Sequence, residues 1–259
     1  MIDIHCHILP SLDDGAQTME DAVAMAKQAV RQGITTVVAT PHYADGIHWN
    51  EASIVHQSVK QLNDVLAAQD IPLQVLPGQE VRVFGALVEE LHSGTTIPMA
   101  QSPYLLLELP ASQIPDKMDD LIYELQLRGV TAVIAHPERN RAFLRQPDRL
   151  LELVERGAIC QLTARSVLGS AGKSIQTFSL QLCRRNLIHF LASDAHDCGR
   201  RGFQLQEAYG ELRRQVGNEY CNYYITNAER LIEGKAIEPL EPIRPAKRLF
   251  SSLLFGRKL

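Results

Sequence analysis

The sequence predicts one α/β domain whose parallel strands close, or nearly close, into a barrel. Three observations lead to this fold class. Amphipathic stretches alternate with short β-branched or apolar runs, several of the amphipathic stretches end in Gly or Asn, and no linker interrupts the alternation. Right-handed crossovers repeated in this way produce a parallel sheet, and seven in series favour a barrel over an open doubly wound sheet.

The βα units follow one another along the chain. Segments such as RQGITTVVAT, LRGVTAVIAH, ERGAICQL and RRNLIHFLAS each place a helix end directly before a buried strand. Thr18, followed three residues later by Asp21, marks the start of the first helix. We expect strands near 2–7, 34–40, 73–80, 103–109, 130–136, 158–162 and 188–194. We expect helices near 19–32, 51–68, 85–92, 116–128, 147–156, 174–185 and 203–216.

The predicted barrel domain spans residues 1–240, and residues 241–259 are predicted to form a C-terminal tail. The tail sequence, EPIRPAKRLFSSLLFGRKL, breaks the alternation with prolines and carries five basic side chains against one acidic one. A flexible end is the simpler interpretation. Weak contact with an anionic membrane or with a partner subunit is the alternative.

Composition excludes several classes of protein. The chain has 259 residues, of which 45% are hydrophobic and 22% charged, so it is neither disordered nor fibrous. Its net charge of −4 argues against nucleic acid as a partner. The first residues, MIDIHCHILP, lack the features of a signal peptide, and we expect a cytoplasmic protein. Five cysteines without a C-x-x-C motif indicate neither a disulfide framework nor a zinc ribbon.

Potential metal ligands follow six of the seven predicted strands. Active sites of parallel barrels lie at the C-terminal strand ends, and the side chains there are His5, His7, Asp13, Asp14, His42, Glu80, Glu108, His136, Glu138, Asp194 and His196. Strand alternation places His5 and His7 on one face and Cys6 on the other. A lone histidine is more often structural, but so many convergent carboxylates need cations. The sequence therefore predicts two or three divalent ions, with zinc, manganese and iron as candidates.

Arginines beside these ligands indicate the chemistry. Arg139 follows His136 and Arg201 follows His196, so both are predicted to overhang the site. Arg141 and Arg200 are alternatives to these two arginines. For each of them, a solvated surface salt bridge is as good an interpretation as a functional role. Metal ions with guanidinium groups favour phosphate-ester hydrolysis, in which a metal-held hydroxide attacks phosphorus and the arginines neutralise the phosphate oxygens.

At these residues the sequence resembles the polymerase and histidinol phosphatase (PHP) superfamily. The motifs MIDIHCHILPSLDDGA, ATPHY, LPGQEVR, AHPERN, ASDAH and TNAERLIEGKAI are similar to those of bacterial manganese-dependent PHP-type protein-tyrosine phosphatases of capsule and exopolysaccharide operons. The resemblance covers nearly the whole chain. It implies a distorted (β/α)7 TIM-like barrel with a trinuclear site that acts on phosphotyrosines in the C-terminal tail of a bacterial tyrosine kinase. The resemblance also favours a homo-oligomer.

The resemblance implies roles for individual residues. One metal would take His5, His7, Glu80 and Asp194; a second would share Glu80 and add Glu108 and His136; the third would take His42, His196 and an aspartate of the DDG turn, where Asp14 is preferred over Asp13. Manganese is the expected ion, with iron or zinc as alternatives, because some relatives have His in place of Glu108. Arg139 and Arg201 fall at the phosphate-handling positions, and with Asp14 they are the predicted catalytic residues.

Other mechanisms and functions compete with this interpretation. Cysteine-dependent phosphatases need C-x5-R, and here Cys160 to Arg165 is one residue short. The alternatives are a small-molecule phosphatase of the histidinol-phosphatase type and a non-catalytic metal-binding regulatory module. A metal-dependent amidohydrolase also opens with H-x-H, but no lysine here falls at a predicted strand end.

Four histidines lie away from the predicted strand ends, namely His48, His56, His92 and His189. We interpret all four as structural. The loop that contains His48 also carries Tyr43 and Trp49 and borders the predicted site. Docking of a phosphotyrosine ring on these aromatic residues is a hypothesis, and local packing is the simpler interpretation.

Overall fold

A computed structural model describes residues 1–244, which contain nine β-strands and ten α-helices. The strands are β1 (Ile2–Cys6), β2 (Thr36–Ala39), β3 (His42–Tyr43), β4 (Gln74–Pro77), β5 (Glu80–Arg82), β6 (Tyr104–Glu108), β7 (Thr131–Ala135), β8 (Ile159–Thr163) and β9 (Phe190–Ala192). The helices are α1 (Met19–Arg31), α2 (Ala52–Ala68), α3 (Leu87–Ser93), α4 (Met118–Leu127), α5 (Arg141–Arg145), α6 (Pro147–Glu155), α7 (Ala164–Val167), α8 (Lys173–Arg184), α9 (Leu205–Gln215) and α10 (Asn218–Ile232). Most of the predicted tail, residues 245–259, lies outside the described residues.

The strands form two parallel sheets, which confirms the predicted α/β class. One sheet has the order β1-β2-β4 and the other β3-β5-β6-β7-β8-β9. Only Thr40 and Pro41 separate β2 from β3, and only Gly78 and Gln79 separate β4 from β5, so the chain twice runs directly between the sheets. The predicted strand 73–80 is therefore divided between β4 and β5. The short strand β3 lies just beyond the predicted strand 34–40, after Pro41, which has no N–H for the ladder.

The first and last strands also meet. Cys6 and Ala195 form a parallel bridge at the end of β1. The N–H of His7 donates to the Ala195 carbonyl at 2.8 Å, and the N–H of Asp194 donates to the His5 carbonyl at 2.9 Å. The C-terminal end of β1 is thus held beside the segment that follows β9.

The predicted helices begin and end where local chemistry indicates. Thr18 Oγ1 accepts from the N–H of Asp21, and the Asp21 carboxylate accepts from the N–H of Thr18, so α1 starts with a capping box. Gly33 and Gly129, which follow α1 and α4, have φ angles of 75° and 73°, and Asn186 after α8 has a φ of 58°. Left-handed backbone of this kind ends a helix and turns the chain into the next strand.

Helix α10 was not among the seven predicted units, and this is a correction. Its sequence contains the run YCNYYIT, whose aromatic and β-branched residues favour strands. Its buried residues Cys221, Tyr224, Ala228 and Leu231 nevertheless lie three or four positions apart, on one helical face. That face packs against β1, β9 and α9, so tertiary burial overrides the local propensity.

The core occupies both faces of the sheets. Ile4, Val38, Leu106, Val133 and Phe190 belong to a buried cluster that joins strands of both sheets, and a larger cluster fills the space between the strands and the helices. Each fully buried side chain of this size contributes about 1.5–3 kcal/mol. Within residues 1–244, no helix combines the length and apolar character needed to cross a membrane.

Candidate metal centre

The two histidines that end β1 point to the same place. His5 and His7 are fully buried, and their Nε2 atoms are 3.2 Å apart. Each Nδ1 is held from behind: that of His5 lies 2.9 Å from Gln161 Oε1, and that of His7 lies 2.6 Å from Asp13 Oδ2. These partners fix the ring orientation and direct both Nε2 lone pairs to a common point.

Glu80 lies at the centre of the imidazoles. Its Oε2 is 3.4 Å from the Nε2 of both His5 and His7 and 3.0 Å from His42 Nδ1, while its Oε1 is 2.8 Å from His136 Nε2. Burial raises the pKa of the Glu80 carboxyl, but the surrounding imidazoles outweigh burial and hold it well below its usual value. Oε2 accepts no hydrogen bond from the described residues.

Three groups of donor atoms each lie within 4.8 Å of one another. The groups are His5, His7 and Glu80; His42, Glu80 and Glu108; and His7, Asp14, His42 and His196. Asp194 borders the first group, with Oδ1 3.5 Å from the Nε2 of both His5 and His7. The structure thus brings the nine predicted ligands to one region. His42 lies in the group of Glu80 and Glu108, and His136 contacts the other oxygen of Glu80.

The two aspartates of the DDG turn have different surroundings. Asp14 Oδ1 lies 3.2 Å from His196 Nε2 and 3.5 Å from His42 Nε2. The carboxylate of Asp13 instead accepts hydrogen bonds from the N–H groups of Gly15 and His42 and holds His7. A Cβ at position 15 would lie 2.0 Å from the His7 carbonyl oxygen, so only glycine fits there. This geometry supports Asp14 as the ligand and Asp13 as a positioning residue.

Asp14→Asn is expected to lower the number of bound metal ions, whereas Asp13→Asn is expected to keep the number and weaken affinity. The reason is that Asp13 acts through His7, and loss of such a partner costs about 10–100-fold in metal affinity. Metal analysis of both variants after dialysis against graded manganese measures stoichiometry and affinity together. The same loss of stoichiometry in both variants would contradict the assignment.

Two predicted ligands have unusual backbone conformations. His136 has φ 33° and Asp194 has φ 56°, so both non-glycine residues lie in the left-handed region. Such conformations cost about 1–3 kcal/mol and persist where the surrounding structure imposes them. Here they turn the chain at the ends of β7 and β9 and direct both side chains inward.

Arg139 and Arg201 each contact predicted metal ligands. Arg139 Nη1 donates to Asp194 Oδ2 at 2.5 Å, and its Nη2 donates to Thr163 Oγ1 at 3.0 Å. Arg201 Nη1 donates to Asp14 Oδ2 at 2.6 Å, and its Nη2 lies 2.5 Å from His196 Nε2. A cavity of about 220 Å³ opens beside them, lined by His42, Glu80, Glu108, His136, Arg139, Asp194, His196 and Arg201 among others.

Sequence reasoning missed two further contributors. Arg82 places both Nε and Nη2 within 2.9 Å of Glu108 Oε2, and Gln161 holds His5 from the strand that carries no predicted ligand. A signal existed for Arg82, because it lies two residues after Glu80 in the same strand and therefore on the same face.

The arginines and histidines set aside earlier lie elsewhere. Arg141 and Arg200 are exposed, and neither forms an ion pair with any residue in 1–244. His48 bonds to Asp45 at 2.8 Å. His189 is fully buried, which lowers its pKa to about 3, and its Nδ1 accepts from the N–H of Cys160. None of the four histidines that were interpreted as structural (His48, His56, His92 and His189) belongs to the donor groups found within 1–244.

Comparison with known proteins identifies relatives over the full length. The chain is 45% identical over 249 residues to tyrosine-protein phosphatase YwqE of Bacillus subtilis, covering 95% of this chain and 98% of that protein. It is 34% identical over 248 residues to the putative tyrosine-protein phosphatase CapC of Staphylococcus aureus, covering 96% and 97%. It is 27% identical to tyrosine-protein phosphatase CpsB of Streptococcus agalactiae, covering 92% and 100%.

Comparison with solved structures identifies the same relatives. A crystal structure from work on YwqE of Bacillus subtilis and CpsB of Streptococcus pneumoniae, called unique metal-dependent tyrosine phosphatases, matches with a TM-score of 0.91 and 44% identity, covering 95% of this chain and all of that one. Organophosphorus hydrolase from Deinococcus radiodurans matches in fold alone, with a TM-score of 0.55, 13% identity and coverage of 89% and 92%.

The family model for capsular polysaccharide synthesis, CpsB/CapC, matches residues 1–233. The family predicted from the motifs is confirmed: the chain belongs to the CpsB/CapC family of capsular polysaccharide synthesis.

Proposed function

We propose that this chain is a metal-dependent protein-tyrosine phosphatase. One observation carries the proposal: three groups of metal-ligand atoms lie together, and members of each group line one cavity with Arg139 and Arg201, in a chain 45% identical to a tyrosine-protein phosphatase. The proposed metal ligands are His5, His7, Asp14, His42, Glu80, Glu108, His136, Asp194 and His196. The proposed phosphate-binding residues are Arg139 and Arg201.

The residues of the site fit divalent ions. All of the donors are imidazole nitrogens and carboxylate oxygens, and Cys6 points away, with Sγ 3.6 Å from the Ala195 carbonyl oxygen. Glu80 Oε2 and His42 Nδ1 are buried and lack hydrogen-bond partners among residues 1–244, which leaves lone pairs for a cation. Manganese is the proposed ion, and iron and zinc suit the same donors. Bound ions would supply a Lewis acid for the phosphate oxygens and a source of hydroxide at neutral pH.

The residues of the chain orient and neutralise the phosphate. Asp194 and Thr163 hold the two arms of the Arg139 guanidinium, and Asp14 holds one arm of Arg201. Both groups are therefore fixed beside the cavity before a substrate enters, and preorganised positive charge stabilises charge that develops on phosphate oxygens. A cysteine route is disfavoured, because burial raises the pKa of the Cys160 thiol.

We further propose that the two sheets form one distorted seven-stranded barrel. The continuous segments β2–β3 and β4–β5 would each count as one strand, and the bridge between Cys6 and Ala195 would join β1 to the segment after β9. In this arrangement the ligands that follow six of the seven strands would surround one open end of the barrel, its mouth. The fold match to organophosphorus hydrolase supports the proposal.

The proposed substrate is a phosphotyrosine in the C-terminal tail of a bacterial tyrosine kinase that regulates capsule or exopolysaccharide synthesis. Membership in a capsular polysaccharide family and relatives with tyrosine phosphatase names support this substrate. A cytoplasmic location remains part of the proposal, as does a homo-oligomeric state.

Trp49→Ala is expected to raise KM for a phosphotyrosine peptide several-fold more than for a small aryl phosphate. Tyr43 is buried and donates to Glu90 at 2.5 Å, but the Trp49 ring is 54% exposed and packs edge-on against Tyr43 and Phe84 at 5.7 and 6.3 Å. Trp49 therefore offers free aromatic surface in the loop that follows β3. Steady-state kinetics with both substrates measures the difference, and Ile47→Ala, a more exposed position of the same loop, is the control. Equal effects on both substrates would argue against docking.

The proposed function is tested with protein stripped of metal and reloaded with manganese. We expect manganese-dependent phosphate release from a phosphotyrosine peptide and little release from the phosphoserine version of the same peptide. Histidinol phosphate serves as a competing substrate that represents the small-molecule alternative. If loaded protein released phosphate from neither peptide, the proposal would be wrong, and turnover of histidinol phosphate alone would replace it with the small-molecule reaction.

A further inference from the structure

Three neighbouring strands are each followed by arginine. Arg139 follows β7, Arg165 follows β8, and Arg200 and Arg201 follow β9. β8 pairs with β7 through Ala135 and Gln161 and with β9 through Thr163 and Ala192. Arg165, two residues beyond the end of β8, therefore projects from the strand between those that carry Arg139 and Arg201. β8, which carries no predicted metal ligand, is thus followed by Arg165.

Arg165 differs from its neighbours in having no acidic partner. Arg139 and Arg201 are both engaged with site carboxylates, whereas Arg165 forms no ion pair within residues 1–244. Its side chain is partly buried, and its Nε is shielded from solvent without a hydrogen-bond acceptor. The hydroxyls of Thr163 and Ser166, two residues before and one residue after Arg165, bond to each other, and Thr163 also donates to Glu138.

Most of the charged groups that influence the pKa of Arg165 carry its own sign. Burial lowers the pKa of Arg165, and the guanidinium groups of Arg139, Arg201 and Arg200 lower it further, opposed by Asp194. Arginine remains charged at neutral pH even so. Because Arg139 and Arg201 are paired with Asp194 and Asp14, the uncompensated positive charge is that of Arg165, and a bound anion would relieve it.

Arg165 lies outside the lining of the cavity that would hold the reacting phosphate. Arg139 and Arg201 line the cavity of about 220 Å³, and Arg165 does not. A phosphate held between the metal ligands and these two arginines would therefore leave Arg165 free. The planar guanidinium of Arg165 can donate two parallel hydrogen bonds to the oxygens of a carboxylate or a phosphate.

We propose that Arg165 binds a second anionic group of the peptide substrate, close to the phosphotyrosine that reacts. It would be a specificity-determining residue, and the inference rests on the proposed phosphatase function. The anion is either an acidic side chain beside the phosphotyrosine or the phosphate of a second phosphotyrosine. Either group would enter on the β8 side of the mouth.

The test compares four substrates with wild type, Arg165→Gln and Arg165→Lys. The substrates are a small aryl phosphate, a phosphotyrosine peptide with neutral flanks, the same peptide with glutamates beside the phosphotyrosine, and a doubly phosphorylated peptide. Arg213→Gln is the matched control, because it removes one positive charge from an exposed residue of α9. Melting temperatures of all variants show whether each is folded.

We expect Arg165→Gln to raise KM at least about ten-fold for the peptide with the second anion, as loss of a charged hydrogen bond predicts. The aryl phosphate and the neutral peptide should change less than about two-fold, and Arg165→Lys should restore part of the loss. Selective loss with the acidic peptide identifies a carboxylate, and selective loss with the doubly phosphorylated peptide identifies a phosphate.

Two results would overturn the inference: unchanged kinetics for every substrate, or an equal loss for all four, the aryl phosphate included. These outcomes are distinguishable from failure of the proposed function. If wild-type protein hydrolyses the singly phosphorylated peptide and Arg165→Gln matches it on all four substrates, the inference alone is wrong. If wild type hydrolyses none of them, the proposed function and the inference fall together.

Discussion

Arg139→Ala is expected to lower kcat for a phosphotyrosine peptide at least about 100-fold, because it removes a preorganised positive charge from the cavity. The guanidinium is held between Asp194 Oδ2 and Thr163 Oγ1. Arg139→Lys keeps the charge but cannot keep both hydrogen bonds, so an intermediate loss is expected. Steady-state kinetics at saturating manganese, with metal content measured in parallel, checks the prediction.

Arg141→Ala is the matched control for this experiment. Arg141 lies two residues further along, is exposed, and forms no ion pair in the described part of the chain. Its loss should leave kcat within about two-fold of wild type. The prediction would be contradicted if Arg141→Ala cost as much as Arg139→Ala, or if Arg139→Ala kept most of its activity with its metal bound.

Removal of the metal is expected to lower the melting temperature by roughly 10 °C. The carboxylates of Asp14, Glu80, Glu108 and Asp194 converge on one site, and ions that bind only the folded chain stabilise it. At about 1,000 times Kd the stabilisation is roughly 4 kcal/mol, which corresponds to a shift of roughly 8–16 °C for a chain of about this length. Calorimetry with and without a chelator measures the shift.

The control is the same chelator already saturated with manganese, which should leave the melting temperature unchanged. Adding manganese, iron and zinc separately to the stripped protein then ranks the ions by the stability that each restores. An unchanged melting temperature, in protein shown by metal analysis to be empty, would contradict a site that contributes to folding.

The fold could be predicted where local chemistry and burial agree. The glycines and the asparagine that end helices did indicate where strands begin, because left-handed backbone is costly for most other residues. Helix α10 could not be predicted from local preference, since only its packing against β1 and β9 makes Tyr223, Tyr224 and Ile225 helical.

The site was predictable as a collection of residues, but their pairing was not. Strand-end position predicted that the ligands would converge. The neighbours depend on register: His42 pairs with Glu80 between β3 and β5, and Arg82 pairs with Glu108 between β5 and β6. No linear spacing shows these partners, because β3 and β5 each enter the second sheet after a break in the chain, at 40–41 and at 78–79.

Because β1 meets the segment after β9, the donor set can be completed only late in synthesis. Asp3 accepts from the N–H of Ser193 at 2.9 Å across 190 residues of chain, and Asp194 completes the surroundings of His5 and His7. On a ribosome that adds about 5–20 residues per second, Asp194 is added roughly 10–40 s after His5. The H-x-H strand is therefore made long before Asp194, although Asp13 and Glu80 follow it early. The complete donor set exists only after His196 has been added.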